Sequence, residues 1–377
     1  MVQSVYLHIP FCEKICYYCD FNKVFIKNQP VDEYLQTMAT EMKNTIERFC
    51  DKRMKTIYVG GGTPTSLNVK QLEVFLHSIR SHFIFADPFE FTFEANPSNV
   101  DEEKLRLLKD FGVNRLSIGV QAFQQSLLER IGRDHTEKEI YTMIETARKI
   151  GFDNISIDLM FGLPSQTVNM FEESLQKAIE LNVEHISAYS LQVEPKTIFY
   201  NEMKKGLLKL PSEDVEAEMF RLLIDRLTNH HFIHYEISNF AKPGKESKHN
   251  LTYWNNDEYY GIGAGAHSYV SGIRRRNAGP LKHYMKRIQE TGFPYMEEIH
   301  LSEREQMEEE LFLGLRKRDG VSISKFEQKF NKRMDEIYGE VIEDLISKGL
   351  LERKGDRIRL TDQGVFLGNE VFQAFLQ

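Results

Sequence analysis

Short runs with strand-like apolar and polar alternation recur along the first half of the chain, and longer runs with helical spacing separate them. The predicted strands lie at residues 5–9, 55–59, 89–93, 115–118, 154–159 and 185–191. The predicted helices lie at 32–49, 69–82, 101–111, 124–131, 136–150 and 167–181. Regular strand–helix alternation indicates βαβ units around a parallel sheet, so the fold class is α/β. About six such units predict a partial (β/α)6 TIM-like barrel, short of the usual eight.

The pattern changes near residue 300. Helical spacing at 302–317, 323–330 and 335–348 precedes a short hairpin-like wing that includes residues 357–361. This order predicts a small C-terminal α+β domain of winged-helix-like type. We therefore expect three regions: a barrel at 1–230, a segment at 231–300 that completes the core, and the C-terminal domain at 301–377. Winged-helix modules often bind DNA. The third helix here is acidic, which favours a packing or lid role over that of a DNA-binding regulator.

Composition narrows the function classes. The chain has 377 residues, 41% hydrophobic and 28% charged, as in ordinary globular proteins. The net charge of −8 gives no support to a nucleic-acid partner. No apolar run approaches the ~20 residues of a membrane span, and no signal segment precedes the first strand. Four cysteines in so long a chain do not make a disulfide framework, which favours the reducing cytoplasm.

Three of the cysteines, Cys12, Cys16 and Cys19, follow the first predicted strand with the spacing C-x3-C-x2-C. Three thiolates can hold three irons of a [4Fe–4S] cluster and leave the fourth iron open to a small ligand. Two alternatives remain: three buried thiols on one helical face, or a zinc site, which normally needs a fourth ligand. Cys50 stands apart, and we expect it to be a structural thiol.

Polar residues and glycines also cluster where predicted strands end. They are Gly60, Gly61, Gly62, Thr63, Glu94, Gln121, Arg133 and Asp158. Loops after the strands form the sites of parallel α/β barrels, although each of these residues is also compatible with a solvated loop or a helix cap. Asp158 is the exception, because it lies within an apolar run where an unpaired carboxylate is costly. A carboxylate there suits the hydroxyls of a ribose.

A second candidate site follows residue 245. The segment HNxxYW contains His249, Asn250, Tyr253 and Trp254, and a glycine-rich run ends at His267. Imidazole and phenolate are axial ligands of haem iron, and aromatic rings offer flat faces to a porphyrin. A capped loop with a packed aromatic pair is the alternative. The run 274–276 is three arginines, which suits either haem propionates or an exposed basic turn.

The cysteine spacing, with aromatic residues beside the last cysteine, resembles the radical S-adenosylmethionine (SAM) superfamily. In that superfamily SAM chelates the open iron, and the reduced cluster cleaves it to a 5′-deoxyadenosyl radical. The resemblance implies that Gly61, Gly62 and Thr63 form the segment that contacts the methionyl amine. Within the superfamily, the branch that contains the coproporphyrinogen dehydrogenases can hold two SAM molecules. Tyr6, Tyr18 and Glu94 match further SAM-contacting positions of that branch. Gln121, Arg133 and Asp158 match its second-SAM positions. Whether a second SAM binds stays open.

The HNxxYW segment resembles that of the HemW family of haem chaperones, and this likeness covers nearly the full chain. It implies that the protein binds haem, holds a [4Fe–4S] cluster with SAM, and delivers haem to acceptor proteins. A reductant such as flavodoxin or ferredoxin is implied too, and a homodimer is left open. The alternative is an oxygen-independent coproporphyrinogen III dehydrogenase, an enzyme of oxidative decarboxylation. It is disfavoured because Phe21 stands where those enzymes carry a further cysteine, and because their N-terminal arm is missing. No catalytic residue is assigned.

Overall fold

The chain is organised around one large sheet, in which seven neighbouring strands run parallel. The protein is represented by a computed structural model, which describes residues 1–376. Its strands are β1 (Ser4–Ile9), β2 (Phe11–Cys12), β3 (Val24–Phe25), β4 (Arg53–Gly61), β5 (Ile84–Ala95), β6 (Arg115–Gln121), β7 (Ile155–Phe161), β8 (His185–Ser190), β9 (Ile233–Glu236), β10 (Asn239–Ala241), β11 (Tyr260–Ile262), β12 (His267–Val270), β13 (Ile273–Asn277), β14 (Tyr295–His300), β15 (Val321–Ser322), β16 (Leu351–Lys354) and β17 (Arg357–Leu360). The large sheet has nine strands in the order β11-β1-β4-β5-β6-β7-β8-β10-β9.

Fifteen helices lie among the described residues, and those between β4 and β8 connect successive parallel strands. They are α1 (Val31–Phe49), α2 (Val69–His82), α3 (Glu102–Asp110), α4 (Gln125–Arg130), α5 (Glu137–Ile150), α6 (Val168–Glu180), α7 (Ile198–Lys204), α8 (Glu213–Asn229), α9 (Lys248–Trp254), α10 (Leu281–Thr291), α11 (Glu303–Gly314), α12 (Ile323–Phe330), α13 (Met334–Ser347), α14 (Asp362–Phe366) and α15 (Gly368–Ala374). A 3-10 turn spans Pro64–Ser66. The six predicted strands and six predicted helices of the barrel are all present with bounds close to those expected, whereas β2, β3, α7 and α8 were not predicted.

Helix α5 shows why these segments form. Thr136 and Glu139 make a reciprocal capping box at its N-terminus, and Gly151 ends it with φ +99°. Its buried residues are Ile140, Met143, Ile144 and Ala147, which share one helical face. That stripe packs into the core shared with strand β6, all of whose residues are buried. Strands buried on both faces are typical of parallel sheets.

The segment after residue 230 extends both ends of the six-stranded parallel sheet. Strand β11 pairs in parallel with β1, and β10 pairs antiparallel with β8 and with β9. The two outer strands, β11 and β9, are not paired to each other within residues 1–376. The barrel is therefore open, as expected for a partial (β/α)6 arrangement.

A separate hydrophobic core lies in the last part of the chain. It includes Leu311, Phe326, Tyr338, Ile342 and Ile358. The elements α11, β15, α12, α13, β16 and β17 follow one another, and their strands form a sheet of order β15-β17-β16. This helix and strand order is winged-helix-like, with β16 and β17 as the wing.

One expectation is wrong, and one of two open alternatives is ruled out. Cys50 is exposed, because it occupies the left-handed C-cap of α1 at φ 64°, where the chain turns away from the core. It is not a buried structural thiol. The three arginines at 274–276 form no exposed turn, since they lie in strand β13 and each pairs with a carboxylate. The pairs are Arg274–Glu309, Arg275–Glu298 and Arg276–Glu297.

Candidate cofactor site and adjoining cavity

The cysteine loop begins where β1 ends, and the glycine segment after β4 holds it in place. The backbone N–H of Gly62 donates to the carbonyl of Ile9 at 2.8 Å, and that of Thr63 donates to Phe11 at 2.8 Å. Strands β2 and β3 pair in parallel and bring the far end of the loop back to the barrel. The loop is therefore anchored at both ends on the side of the sheet where the parallel strands terminate.

The three thiols share one cavity of about 150 Å³ with most of the predicted SAM residues. Its lining contains Cys12, Cys16, Cys19, Tyr18, Gly61, Gly62, Thr63, Glu94, Gln121, Arg133 and Asp158. We call this space the cysteine cavity. Residues from the cysteine loop, from four further strands and from one inter-helix loop thus meet at a single place, although they are separated by up to 146 positions in the chain.

The thiols do not converge on a point. Within residues 1–376, no three side chains of His, Cys, Asp or Glu lie at the spacing that would chelate a single ion. In a [4Fe–4S] cube each thiolate binds a different iron, so the sulfur atoms surround the cluster rather than meet. Burial raises the pKa of the Cys12 thiol to about 11. The hydrogen bond that Thr63 Oγ1 donates to Cys12 Sγ at 3.7 Å acts in the opposite direction and lowers this pKa.

Glycine is needed in the segment beside the thiols because other backbone and side-chain atoms lie too close. A Cβ on Gly62 would lie 2.8 Å from the carbonyl oxygen of Phe11 and 3.0 Å from Cys12 Sγ. A Cβ on Gly60 would lie 2.7 Å from the carboxylate carbon of Glu94. Gly61 has φ +116°, in the region that favours glycine. The run therefore lets the backbone approach both the cysteine loop and a carboxylate.

Two carboxylates enter the cysteine cavity from the sheet. Glu94 accepts hydrogen bonds from the Tyr58 hydroxyl at 2.8 Å and the Gly61 N–H at 3.1 Å. Burial, opposed by these bonds, raises the pKa of Glu94 to about 7. Asp158 accepts from the Ser117 hydroxyl at 3.4 Å, and burial raises its pKa as well. The carboxylates keep lone pairs for the amine or hydroxyl groups of a ligand.

Arg133 supplies the positive charge. Its Nη2 donates to the carbonyl of Gly119 at 2.9 Å, while its Nε has no hydrogen-bond partner within the described residues. A Cβ on Gly119 would lie 2.3 Å from Nη2, so only glycine admits the guanidinium. Gln121 holds φ 67°, a conformation that costs energy in a residue with a side chain. Thiols, carboxylates and an incompletely bonded guanidinium together fit a cluster and an amino-acid-bearing nucleoside such as SAM.

The HNxxYW segment forms helix α9, which Ser247 and Glu90 cap. The Ser247 hydroxyl accepts from Asn250 N–H, and the Glu90 carboxylate accepts from the N–H groups of Lys248 and His249. His249 is buried, and both of its ring nitrogens are engaged. Nδ1 lies 2.8 Å from Thr56 Oγ1 and Nε2 lies 2.8 Å from the Tyr253 hydroxyl. Burial lowers the pKa of His249 to about 3, so its ring is neutral.

A second, larger cavity of about 610 Å³ lies beside the cysteine cavity. Its lining includes Tyr6, His8, Phe21, Asn22, Tyr253, Trp254, Asn256, Tyr259, Ala266, His267, Arg274, Phe312 and Leu313. We call it the aromatic cavity. Its volume is typical of a site for a cofactor-sized ligand. Phe21 lines both cavities, so the two spaces share this side chain as a common wall.

Two hydrogen-bond donors on residues of the aromatic cavity are buried without an acceptor. They are Trp254 Nε1 and Asn256 Nδ2. Arg274 is engaged by both oxygens of Glu309 at 2.7 Å and by Asn256 Oδ1 at 3.1 Å. Buried donors without partners are costly. The aromatic rings in the wall of the cavity fit a large flat ligand.

The structure separates some of the predicted site residues. Tyr6 lies in the wall of the aromatic cavity, where its hydroxyl shares a hydrogen bond with His8 Nδ1 at 2.9 Å. Tyr253 and Trp254 line that cavity, whereas His249 lies behind them and Asn250 lines neither cavity. Sequence reasoning missed Phe312 and Leu313, because they belong to the C-terminal helix α11 and carry no motif. It recognised His267 as the end of a glycine-rich run without assigning it a role.

Comparison with known proteins agrees with this geometry. Residues 6–178 match the family model described as the Radical SAM superfamily, and residues 301–367 match that of the HemN C-terminal domain. The chain superimposes on the coproporphyrinogen III oxidase HemN of Escherichia coli with a TM-score of 0.88 at 27% identity, covering 99% of this chain and 90% of that one. Fold and cysteine cavity thus define a protein of the radical SAM class.

Curated relatives specify the family within that class. A protein of Bacillus subtilis named heme chaperone HemW is 53% identical over 376 residues, which covers 100% of this chain and 99% of the relative. A protein of the same name from Lactococcus lactis is 48% identical, covering 99% of this chain and 97% of the relative. The chain belongs to the HemW family. No helix among residues 1–376 is long and apolar enough to cross a membrane.

Proposed function

We propose that this protein is a haem chaperone: it binds haem, carries a [4Fe–4S] cluster with SAM, and delivers the haem to an acceptor protein. One observation carries the proposal. A cavity lined by three thiols adjoins a larger aromatic cavity, and Phe21 belongs to the walls of both. The protein can thus hold a redox cofactor and a flat apolar cargo side by side.

Each group of residues has a distinct role in this proposal. The thiolates of Cys12, Cys16 and Cys19 hold three irons, and the fourth is left for SAM. When bound, SAM supplies a sulfonium that a reduced cluster can cleave. The backbone of Gly61, Gly62 and Thr63 lies against the SAM amine, and Glu94 accepts a hydrogen bond there. The side chains of Tyr18, Gln121, Arg133 and Asp158 line the remaining wall, where a carboxylate and ribose hydroxyls find partners.

Haem occupies the aromatic cavity in this proposal. Tyr253 and Trp254 provide ring faces, and Tyr6 lies in the same wall. His249 and Asn250 do not line the cavity; they belong to the capped helix α9, which positions those rings. A soluble electron donor such as flavodoxin or ferredoxin would supply the electron to the cluster, and the protein works in the cytoplasm, where thiols stay reduced. A homodimer is compatible with these roles.

The test is a haem titration followed by a transfer assay. Anaerobically purified protein with a reconstituted cluster should bind about one haem, seen as a Soret change in difference spectra against the cluster-only protein. The haem-loaded protein is then mixed with an acceptor protein that lacks its haem, and the two are separated by size. Haem should be found on the acceptor. Absence of a Soret change at stoichiometric haem would refute the haem-chaperone function.

A second candidate is supported by the superposition on HemN. With dithionite, SAM and coproporphyrinogen III, a dehydrogenase of that type would release carbon dioxide and form protoporphyrinogen IX. Phe21 argues against this dehydrogenase activity. HemN-type enzymes carry cysteines with the spacing C-x3-C-x2-C-x-C, and the phenylalanine here cannot supply the last thiol. Formation of protoporphyrinogen IX by the wild-type chain would establish this activity despite Phe21.

A further inference from the structure

Three histidines lie at or next to the aromatic cavity, and two of them have no ring nitrogen to spare. His8 shares one hydrogen bond with the Tyr6 hydroxyl at 2.9 Å and another with the carbonyl of Asn22 at 2.7 Å. His249 is bonded to Thr56 and Tyr253 at 2.8 Å each. A metal could bind either ring only after one of these buried hydrogen bonds breaks, which costs about 1–3 kcal/mol for the group left unpaired.

His267 differs from both. It is the first residue of β12 and lines the aromatic cavity, and its ring makes no hydrogen bond to any residue in the range 1–376. Partial burial lowers its pKa, and Arg276 acts in the same direction, so the imidazole is neutral near pH 7. A neutral imidazole is the form that ligates metal ions.

The fold also holds the backbone of His267 in place. A Cβ on Gly261 would lie 1.7 Å from the His267 carbonyl oxygen, so glycine at 261 allows β11 and β12 to touch. Strand β12 pairs with β13 through His267 and Arg276, and the bridge between Tyr259 and Tyr269 secures its other end. The free ring therefore projects from a rigid hairpin rather than from a mobile loop.

We propose that His267 is the axial ligand of the haem iron in the aromatic cavity, and that His249 positions Tyr253 without binding iron. This assignment rests on the proposed function, because it presupposes that the chain binds haem. Tyr253 and Trp254 line the same cavity and offer faces to the porphyrin.

The test compares variants of the full-length protein with reconstituted cluster. His267→Ala should weaken haem binding at least tenfold and abolish the ferric-haem electron paramagnetic resonance signature of imidazole ligation. Free imidazole should restore that signature. His249→Ala should keep the signature even where its affinity falls. His283→Ala is the matched control, since His283 is exposed on α10 and should behave as wild type.

A ligand exchange guards against misfolding of the alanine variant. His267→Cys should shift the haem spectrum to that of thiolate ligation, a gain that a damaged fold would not produce. Iron content of the cluster and far-ultraviolet circular dichroism report on folding. Wild-type signatures in both His267→Ala and His267→Cys, or loss of the imidazole signature in His249→Ala alone, would overturn the assignment while leaving haem binding intact. A wild-type chain that binds no haem would overturn the proposed function and this assignment together.

Discussion

The Tyr253 hydroxyl lies 2.8 Å from Nε2 of His249, so the first and fifth residues of the HNxxYW segment are bonded to each other. The two rings meet edge-on at 5.0 Å, and His249 also stacks on Tyr58, whose hydroxyl donates to Glu94. A chain of contacts therefore runs from the wall of the aromatic cavity to a carboxylate of the cysteine cavity. The histidine of the motif is a buried link in this chain.

Removing that link should destabilise the protein. His249→Ala leaves Thr56 and Tyr253 without their partner, so we expect the free energy of unfolding to fall by about 1–3 kcal/mol. Tyr253→Phe should cost about 1 kcal/mol, and the double variant should cost less than the sum. Urea denaturation measures all three. Tyr200→Phe is the control, because the described residues offer its hydroxyl no partner; a strictly additive double variant would contradict the coupling.

The cysteine cavity should lose its cluster when one thiol is removed. Cys16→Ser leaves two thiolates, too few to hold the cube, so iron and sulfide contents should drop to background and the ~400 nm absorbance should vanish. Cys50→Ser is the same chemical change at an exposed helix C-cap that does not line the cysteine cavity, and this variant should bind iron like the wild type. Retention of the absorbance in Cys16→Ser would show that the cluster lies elsewhere.

Arg133 can be displaced without deleting a polar group. Gly119→Ala introduces a Cβ that would lie 2.3 Å from Arg133 Nη2, so the guanidinium must move away from the cysteine cavity. A charge-assisted hydrogen bond contributes about 1.5–3 kcal/mol, so SAM affinity should fall roughly 10- to 100-fold, measured by equilibrium dialysis. Gly339→Ala, on α13 with only Asp335 Cβ at 3.9 Å nearby, should leave SAM binding unchanged. Equal affinities in the two variants would exclude Arg133 from SAM binding.

A buried carboxylate should make stability depend on pH. Glu41 accepts from Asn277 Nδ2 and the Gly263 N–H at 2.8 Å and from the Tyr284 hydroxyl, and burial raises its pKa to about 8. Between its ordinary pKa of 4.5 and about 8, the folded protein binds a proton that the unfolded chain has lost. The free energy of unfolding should therefore fall as pH rises through this range, by at most about 1.4 kcal/mol per pH unit.

Glu41→Gln should remove that dependence. Its free energy of unfolding should be lower at pH 6, because the amide cannot satisfy all three donors, but should change less between pH 6 and pH 8 than that of the wild type. Chemical denaturation at several pH values measures the slopes. Glu47→Gln, on the exposed face of α1, should keep the wild-type slope. Equal slopes in wild type and Glu41→Gln would rule out Glu41 as the titrating group.

Local patterns in the sequence were enough for the barrel. Apolar stripes such as Ile140, Met143, Ile144 and Ala147 have helical spacing, and strand and helix alternate six times, so the elements and their parallel order follow from nearest-neighbour chemistry. The cysteine spacing and the glycine run are equally local, and both lie where strands end. That these residues meet in one cavity was therefore predictable from the sequence.

Other features depend on groups that are distant in the chain. The amino-acid sequence alone could name His249 as a candidate ligand, but only the folded chain shows that Thr56, 193 residues away, occupies one of its nitrogens. In the same way, Phe312 and Leu313 reach the aromatic cavity because the C-terminal core packs α11 against α9. Hydrogen bonding and burial decide which side chains remain free to bind a ligand. Both are properties of tertiary packing, which periodicity and spacing do not encode.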